Sequence, residues 1–411
     1  MKSKVTGFLL FGLAFALTLS INARLDGRDQ DRDDRDGDHH DRECRDREHN
    51  EKTPLQAVGV MGIPGNPLAS TDIAWVDQGT ERLYFADRSN FGVDIIDAEN
   101  DVYVGRVAGF AGPSGPNGSG PGGVLVTPSR KLWAGDGNTT VQVADVDPKS
   151  PDYLKIIKSV DVSIPACDKH CNRADELGYD PKDHKILAAI DRPTSDGKTH
   201  IAPYAALIDA NTYGVQIVQI PNIVADGGLE QPLWDSHLGR FFLTVPSVTT
   251  NKGNGEIAII DPVKGTVENA YFTPNCGPSG EVLTPFEQLV VECGGDLLFM
   301  NARNGKIIST IKNVPADELW FNPGDDRVYA ANNDVNLLNV VDAEESTLIQ
   351  SLPDVGGRNQ AAFAENNHVF TPVRAPADPK NDHTQCSLFG FKGTGCVAVF
   401  THAEEEEHGE E

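Results

Sequence analysis

Arg327-Val328-Tyr329-Ala330-Ala331-Asn332-Asn333-Asp334-Val335-Asn336-Leu337-Leu338-Asn339-Val340-Val341-Asp342 reads as two strands joined by a turn. The runs 327–331 and 337–341 carry the β-branched, aromatic and aliphatic side chains that pack on a pleated surface. The Asn- and Asp-rich segment between them has turn chemistry, and the closing Asp342 can accept a hydrogen bond from its own backbone two residues on, which ends the strand.

The closing pattern, an apolar run ended by Asp or Asn, recurs. Copies lie at 93–97, 141–145, 206–209, 258–261, 298–301 and 338–342, with a degenerate one at 397–401, so there are seven at spacings of 40 to 64 residues. A further strand follows most copies, and another precedes each, as at 82–86, 131–134, 185–189 and 240–243. Before that comes a first strand ending in a turn such as Thr127-Pro128, Asp180-Pro181 or Asn322-Pro323. Each unit is therefore four antiparallel strands, a sheet too small to stand alone but able to bury both faces between neighbours. The fold class expected is all-β, a seven-bladed β-propeller of four-stranded antiparallel blades. No strand follows Thr401, whereas Leu55-Gln56-Ala57-Val58-Gly59-Val60 is spare before the first unit, so the N-terminal strand is expected to close the last blade as its outermost member. A pair of β-sandwiches explains neither the once-per-four-strands motif nor the matching spare and missing strands.

The quoted stretch, with Leu83-Tyr84-Phe85-Ala86-Asp87, resembles the YVTN type of propeller repeat, in weakened form over residues 55–402. The resemblance implies a scaffold and no particular activity. WD-repeat propellers are a poorer match, because no blade carries Gly-His and Trp-Asp pairs.

Around residues 53–402 the chain changes character. Residues 1–23 read as a signal peptide, with Lys2 and Lys4 before an apolar run shorter than the ~20 residues that span a bilayer. Residues 24–52 form a charged leader with too few apolar side chains to offset chain entropy, and 403–411 an acidic tail. Export makes disulfides the first reading of the seven cysteines. The nearest pairings are Cys167 with Cys171, Cys276 with Cys293 and Cys386 with Cys396, which leaves Cys44 in the leader. A net charge of −26 argues against nucleic acid as a partner. The expected form is a secreted or periplasmic monomer with no membrane span after signal removal.

Strand order puts the loops between second and third strands, and the links between blades, on one face. All the long segments fall there: 110–122, 163–173, 192–203, 246–255 and 372–395. Elaboration of one face of a rigid frame is how loops carry function. At the starts of the innermost strands on that face, Asp72, Glu176, Gln231, Glu281, Glu318 and Gln360 align, with Gly123 in the remaining blade. Clustered carboxylates oppose one another's ionisation unless a cation neutralises them, so Asp72, Glu176, Glu281 and Glu318 are candidate ligands of a divalent ion, calcium favoured by the all-oxygen set. His170, Arg173, Asp175, Asp317, Arg358 and Gln360 are candidate ligand-binding residues around the same mouth. No Gly-x-Ser-x-Gly elbow, His-Glu-x-x-His helix or phosphate loop occurs, and no catalytic residue is assigned. Two functions follow as expectations: a binding module for an extracellular or periplasmic protein or small molecule, and a divalent-metal hydrolase. The second rests on similarity of architecture to gluconolactonase-type propellers, which implies a lactonase-like reaction.

Overall fold

The computed structural model describes residues 54–402 apart from 115–117, 168–170, 333 and 354. The expectations for 1–52 and 403–411, and those for Cys44 and His170, lie outside the described residues.

Seven four-stranded antiparallel sheets follow one another around a ring. From inside outward, blade one is Thr71–Asp77, Arg82–Asp87, Gly92–Asp97 and Val102–Ala108, and blade two is Val124–Thr127, Lys131–Asp136, Thr140–Asp145 and Lys155–Asp161. Blade three is Arg173–Asp180, Lys185–Asp191, Tyr204–Asp209 and Val215–Gln219, and blade four is Pro232–Asp235, Arg240–Val245, Glu256–Asp261 and Thr266–Phe272. Blade five is Pro278–Leu283, Gln288–Cys293, Leu297–Asn301 and Ile307–Ile311, and blade six is Leu319–Asn322, Arg327–Asn332, Leu337–Asp342 and Thr347–Pro353. Blade seven takes Ala361–Phe363, His368–Val373 and Cys396–His402 from the C-terminal end and Leu55–Met61 from the N-terminal end.

The repeated Asp ends the third strand in blades one to four and six, and its carboxylate caps the following turn as its chemistry requires. Asp209 accepts from the N–H groups of Asn211 and Thr212 at 3.0 and 2.8 Å, and Asp261 from those of Val263 and Lys264 at 2.8 and 3.0 Å. Hydrophobic cores lie between blades, not within them. Trp133 and Val143 of blade two pack against Leu177 and Ile186 of blade three, and Phe242 of blade four against Leu289 of blade five. The ring closes through six pairings of the spare strand, from Leu55 with His402 to Met61 with Val397, as the strand count requires.

All three expected disulfides form, and all lie on the elaborated face. Cys167–Cys171 closes the link into blade three, Cys276–Cys293 ties the link into blade five to its second strand, and Cys386–Cys396 closes the insertion of blade seven. The opposite face carries mostly brief turns, with 146–154 of blade two the longest. Among the described residues no helix is long and apolar enough to cross a membrane.

Candidate functional site

A bulge sets the site. In six blades two residues of the innermost strand oppose one of the second: Asp72 and Ile73, Asp175 and Glu176, and Ser279 and Gly280 by strand register, and Gly122 and Gly123, Glu230 and Gln231, and Asp317 and Glu318 by backbone hydrogen bonds. A bulge interrupts the alternation of side chains and re-aims them. Here it stacks two rings of residues at the channel mouth.

The upper ring contains Asp72, Asp175, Glu230 and Asp317, the first bulge residue of their blades, and it is threaded by arginines. Arg88, on the turn after the second strand of blade one, pairs with Asp72, reaches Asp175 at 3.7 Å and donates Nε–H to the Pro121 carbonyl at 2.8 Å. Arg173 contacts Asp175 at 2.5 Å and Asp191 at 3.3 Å, and Arg358 pairs with Asp317. Arg374 donates to the Thr71 carbonyl at 2.7 Å. Burial raises Asp72 despite Arg88, whereas at Asp175 the pull of Arg173 and Arg88 outweighs burial and holds the carboxyl below the ordinary range. Glu230, half-buried and facing Asp175, Asp191 and Asp317, is pushed up to about 8 by desolvation and those carboxylates.

The lower ring contains Glu176 and Glu318. Their blades, three and six, are not neighbours, so the two carboxyl groups face each other across the channel. Burial is the largest cause raising both well above the usual carboxyl range, and at Glu176 the facing Glu318 raises it further. Gly123 and Gly280 occupy this ring in blades two and five because a Cβ there would lie 2.5 Å from the Glu176 Cα and 2.7 Å from the Glu318 Cα.

Of the aligned residues, Glu176, Gln231, Glu318 and Gly123 share a level, whereas three slip. Asp72 is the upper bulge residue, and Glu281 and Gln360 fall one position below, level with Leu177 and Leu319. A one-residue shift turns a strand side chain to the other face. Glu281 is accordingly fully buried, both its oxygens lack a partner among the described residues, and desolvation raises it well above the ordinary range. Gln360 spends its amide on the ring itself, accepting from the Ala331 N–H at 2.8 Å and donating to the Glu318 and Tyr329 carbonyls at 3.1 and 2.7 Å. The four residues proposed for a divalent ion thus occupy three levels, and Asp72 is committed to Arg88. Among the described residues no three His, Cys, Asp or Glu side chains are grouped to hold a metal ion. Arg173, Asp175, Asp317 and Arg358 do converge on one network. Arg88, Asp191, Glu230 and Arg374 join it without having been expected.

Below Glu176 and Glu318 the channel widens into a cavity of about 450 Å³ that reaches Tyr179 and Pro181 near the plain face. Trp75 of blade one and Trp320 of blade six meet there edge to face, 5.6 Å between ring centroids, and Trp234 of blade four adds a third indole. The Nε1 of each is buried without a partner among the described residues. The sequence held a signal for them: each lies one or two residues before the Asp or Asn that ends its innermost strand, at Asp77, Asp235 and Asn322.

These carboxyls also set a pH dependence. A group raised in the folded state binds more protons there than in the unfolded chain, so its contribution is complete below the unfolded value of about 4.5 and is lost as pH rises. With Glu176, Glu230, Glu281 and Glu318 all raised, and Glu230 pushed up to about 8, stability and with it Tm are expected to fall as pH rises from 5 to 8. Calorimetry across that range checks this, and a flat or rising Tm contradicts it.

No protein-family model matches the chain, and no curated protein matches it in sequence. Its fold is similar to a chain in the "Crystal Structure of Mitotic Checkpoint Complex", with TM-score 0.60 and 13% identity over 94% of this chain and 99% of that one. The Cps50 (Swd1) β-propeller domain of Myceliophteria thermophila gives TM-score 0.61 and 11% identity over 85% and 100%, and the Kuenenia stuttgartiensis hydrazine synthase 0.57 and 13% over 78% and 94%. Identities of 11–13% speak for the fold alone, and with the seven sheets they establish the chain as a seven-bladed β-propeller.

Proposed function

We propose that this chain is an exported propeller of the YVTN repeat type that holds a partner protein on its disulfide-stapled face. One observation carries the reading. On the insertion of blade seven, closed by Cys386–Cys396, three large apolar side chains stand in solvent: Leu388 is 70% exposed, Phe389 42% and Phe391 38%. Water-exposed aromatic and aliphatic side chains on a cross-linked loop are costly for a free protein and useful as interface anchors. The staple lowers the entropy lost when such a loop docks. The link into blade three, beside the charged mouth, is stapled in the same way. Three disulfides suit an oxidising compartment. One of the similar folds is a chain of the mitotic checkpoint complex.

The double substitution Leu388→Ser/Phe389→Ser is expected to weaken capture of the partner at least tenfold, while the thermal unfolding curve stays unchanged because neither side chain is in the core. Immobilised protein exposed to the extracellular or periplasmic fraction, with cross-linking and mass spectrometry to quantify bound chains, provides the measurement. Equal capture by the double variant rejects the reading.

A further inference from the structure

The cavity beneath the Glu176–Glu318 pair belongs to neither the stapled face nor the arginine network. Its walls are aromatic and apolar, and beside its upper end lie buried acceptors that the protein does not satisfy. Glu318 is 5% exposed and its Oε2 has no partner among the described residues, and the same holds for both oxygens of the fully buried Glu281. Glu281 stands level with Leu177 and Leu319, which pack into the interblade cores. An apolar side chain fits that position in blades three and six, so the carboxyl at 281 costs stability that no contact within the described chain returns.

We propose that this chamber is a binding site for a small organic cation, an ammonium group carried on an aromatic or apolar body. The ammonium donates to the unpartnered carboxyl oxygens of Glu318 and Glu281. The body lies against Trp75, Trp320 and Trp234, whose ring faces attract positive charge as well as apolar surface. Their Nε1–H groups leave donors for an oxygen on the same molecule. A cavity of about 450 Å³ lies within the range of small-molecule pockets. Apolar walls suit an organic cation better than a bare divalent ion, which needs a cage of oxygens. Entry is from the plain face, where Tyr179 and Pro181 border the cavity, so this site and the partner surface stand or fall separately.

Tryptophan fluorescence reports on the chamber directly. Three of the four tryptophans line it, and the fourth, Trp133, packs between blades two and three. Titration of the mature protein with 2-phenylethylammonium is expected to give a saturable change. The uncharged isostere 2-phenylethanol should need at least a tenfold higher concentration for the same response. Glu318→Gln, which replaces a carboxyl able to ionise beside the cation with a neutral amide of the same shape, should weaken the ammonium roughly tenfold and leave the alcohol unaltered. Circular dichroism confirms that the variant is folded, and Glu281→Gln provides the same comparison if it is not. The proposal is overturned by no saturable change up to about 10 mM of the ammonium probe, by equal responses to the two probes, or by an unaltered response in the folded Gln variant. A saturable response to calcium that 2-phenylethylammonium cannot displace overturns it as well.

Discussion

Removing residues 54–61 is expected to leave a chain that does not hold the native ring at 25 °C. The deleted strand makes six pairings with Cys396–His402, and Leu55, only 2% exposed, is clamped to blade six by Gln350, which accepts from its N–H at 2.8 Å and donates to its carbonyl at 3.0 Å. At ~1 kcal/mol for each hydrogen bond and ~2 kcal/mol for a buried Leu, the loss is on the order of 6–8 kcal/mol. Domains of this kind are stable by only about 5–15 kcal/mol, so most or all of the margin goes. The deletion also turns Cys396–His402 into a bare edge, whose unpaired backbone groups invite association. Gel filtration and guanidinium unfolding should show aggregation or a collapsed midpoint, and a peptide of residues 54–62 added in trans should restore part of the signal. A deletion variant that unfolds within about 3 °C of the intact chain means that the strand does not seal the ring.

Asp325→Ala should be the most damaging point change among the polar residues, costing about 3–5 kcal/mol. Asp325 lies in the turn before the second strand of blade six, and three buried groups converge on it. Tyr329 donates its hydroxyl at 2.5 Å, His402 its Nε2–H at 2.8 Å, and Arg327 its backbone N–H at 3.2 Å. The His402 Nδ1 in turn accepts from Arg327 Nη1 at 2.9 Å, so the last residue of the third strand of blade seven is bound to blade six through a chain of polar contacts. Alanine would leave a buried backbone N–H, a phenol and an imidazole without their common acceptor. Asp325→Asn keeps one acceptor oxygen and should cost less than half as much. Denaturant titration of the three proteins gives the order. A loss below about 1 kcal/mol for Asp325→Ala would mean that the network contributes little to stability.

Tyr329 shows how far the repeat could be read. As the Tyr of Arg327-Val328-Tyr329-Ala330-Ala331 it marks a second strand, and it occupies one, but its hydroxyl partners Asp325 and His402 belong to a turn and to the other end of the chain. Strand order, blade number, the spare strand and the cysteine pairs were legible because each depends on short-range rules: alternation along a strand, an Asp that caps its own turn, and cysteines near one another in an oxidising compartment. The site was legible only in part. Glu176 and Glu318 are aligned by the matching Ala174-Asp175-Glu176-Leu177 and Ala316-Asp317-Glu318-Leu319, whereas the alignment places Asp72, Glu281 and Gln360 one position off. The cause is the bulge, which adds a residue opposite a partner on another strand and so leaves no mark in the local pattern.

The amino-acid sequence by itself determined that strands form, where each ends, how many sheets result and which segment completes the last, since these follow from hydrogen bonding and side-chain periodicity within a few residues. Tertiary structure alone decided that Arg88 of blade one pairs with Asp72 and reaches Asp175, that Glu176 and Glu318 face each other across the axis, and that Trp75 and Trp320 line one chamber. Those encounters join side chains from blades far apart in the chain, and their distances exist only once the ring has closed.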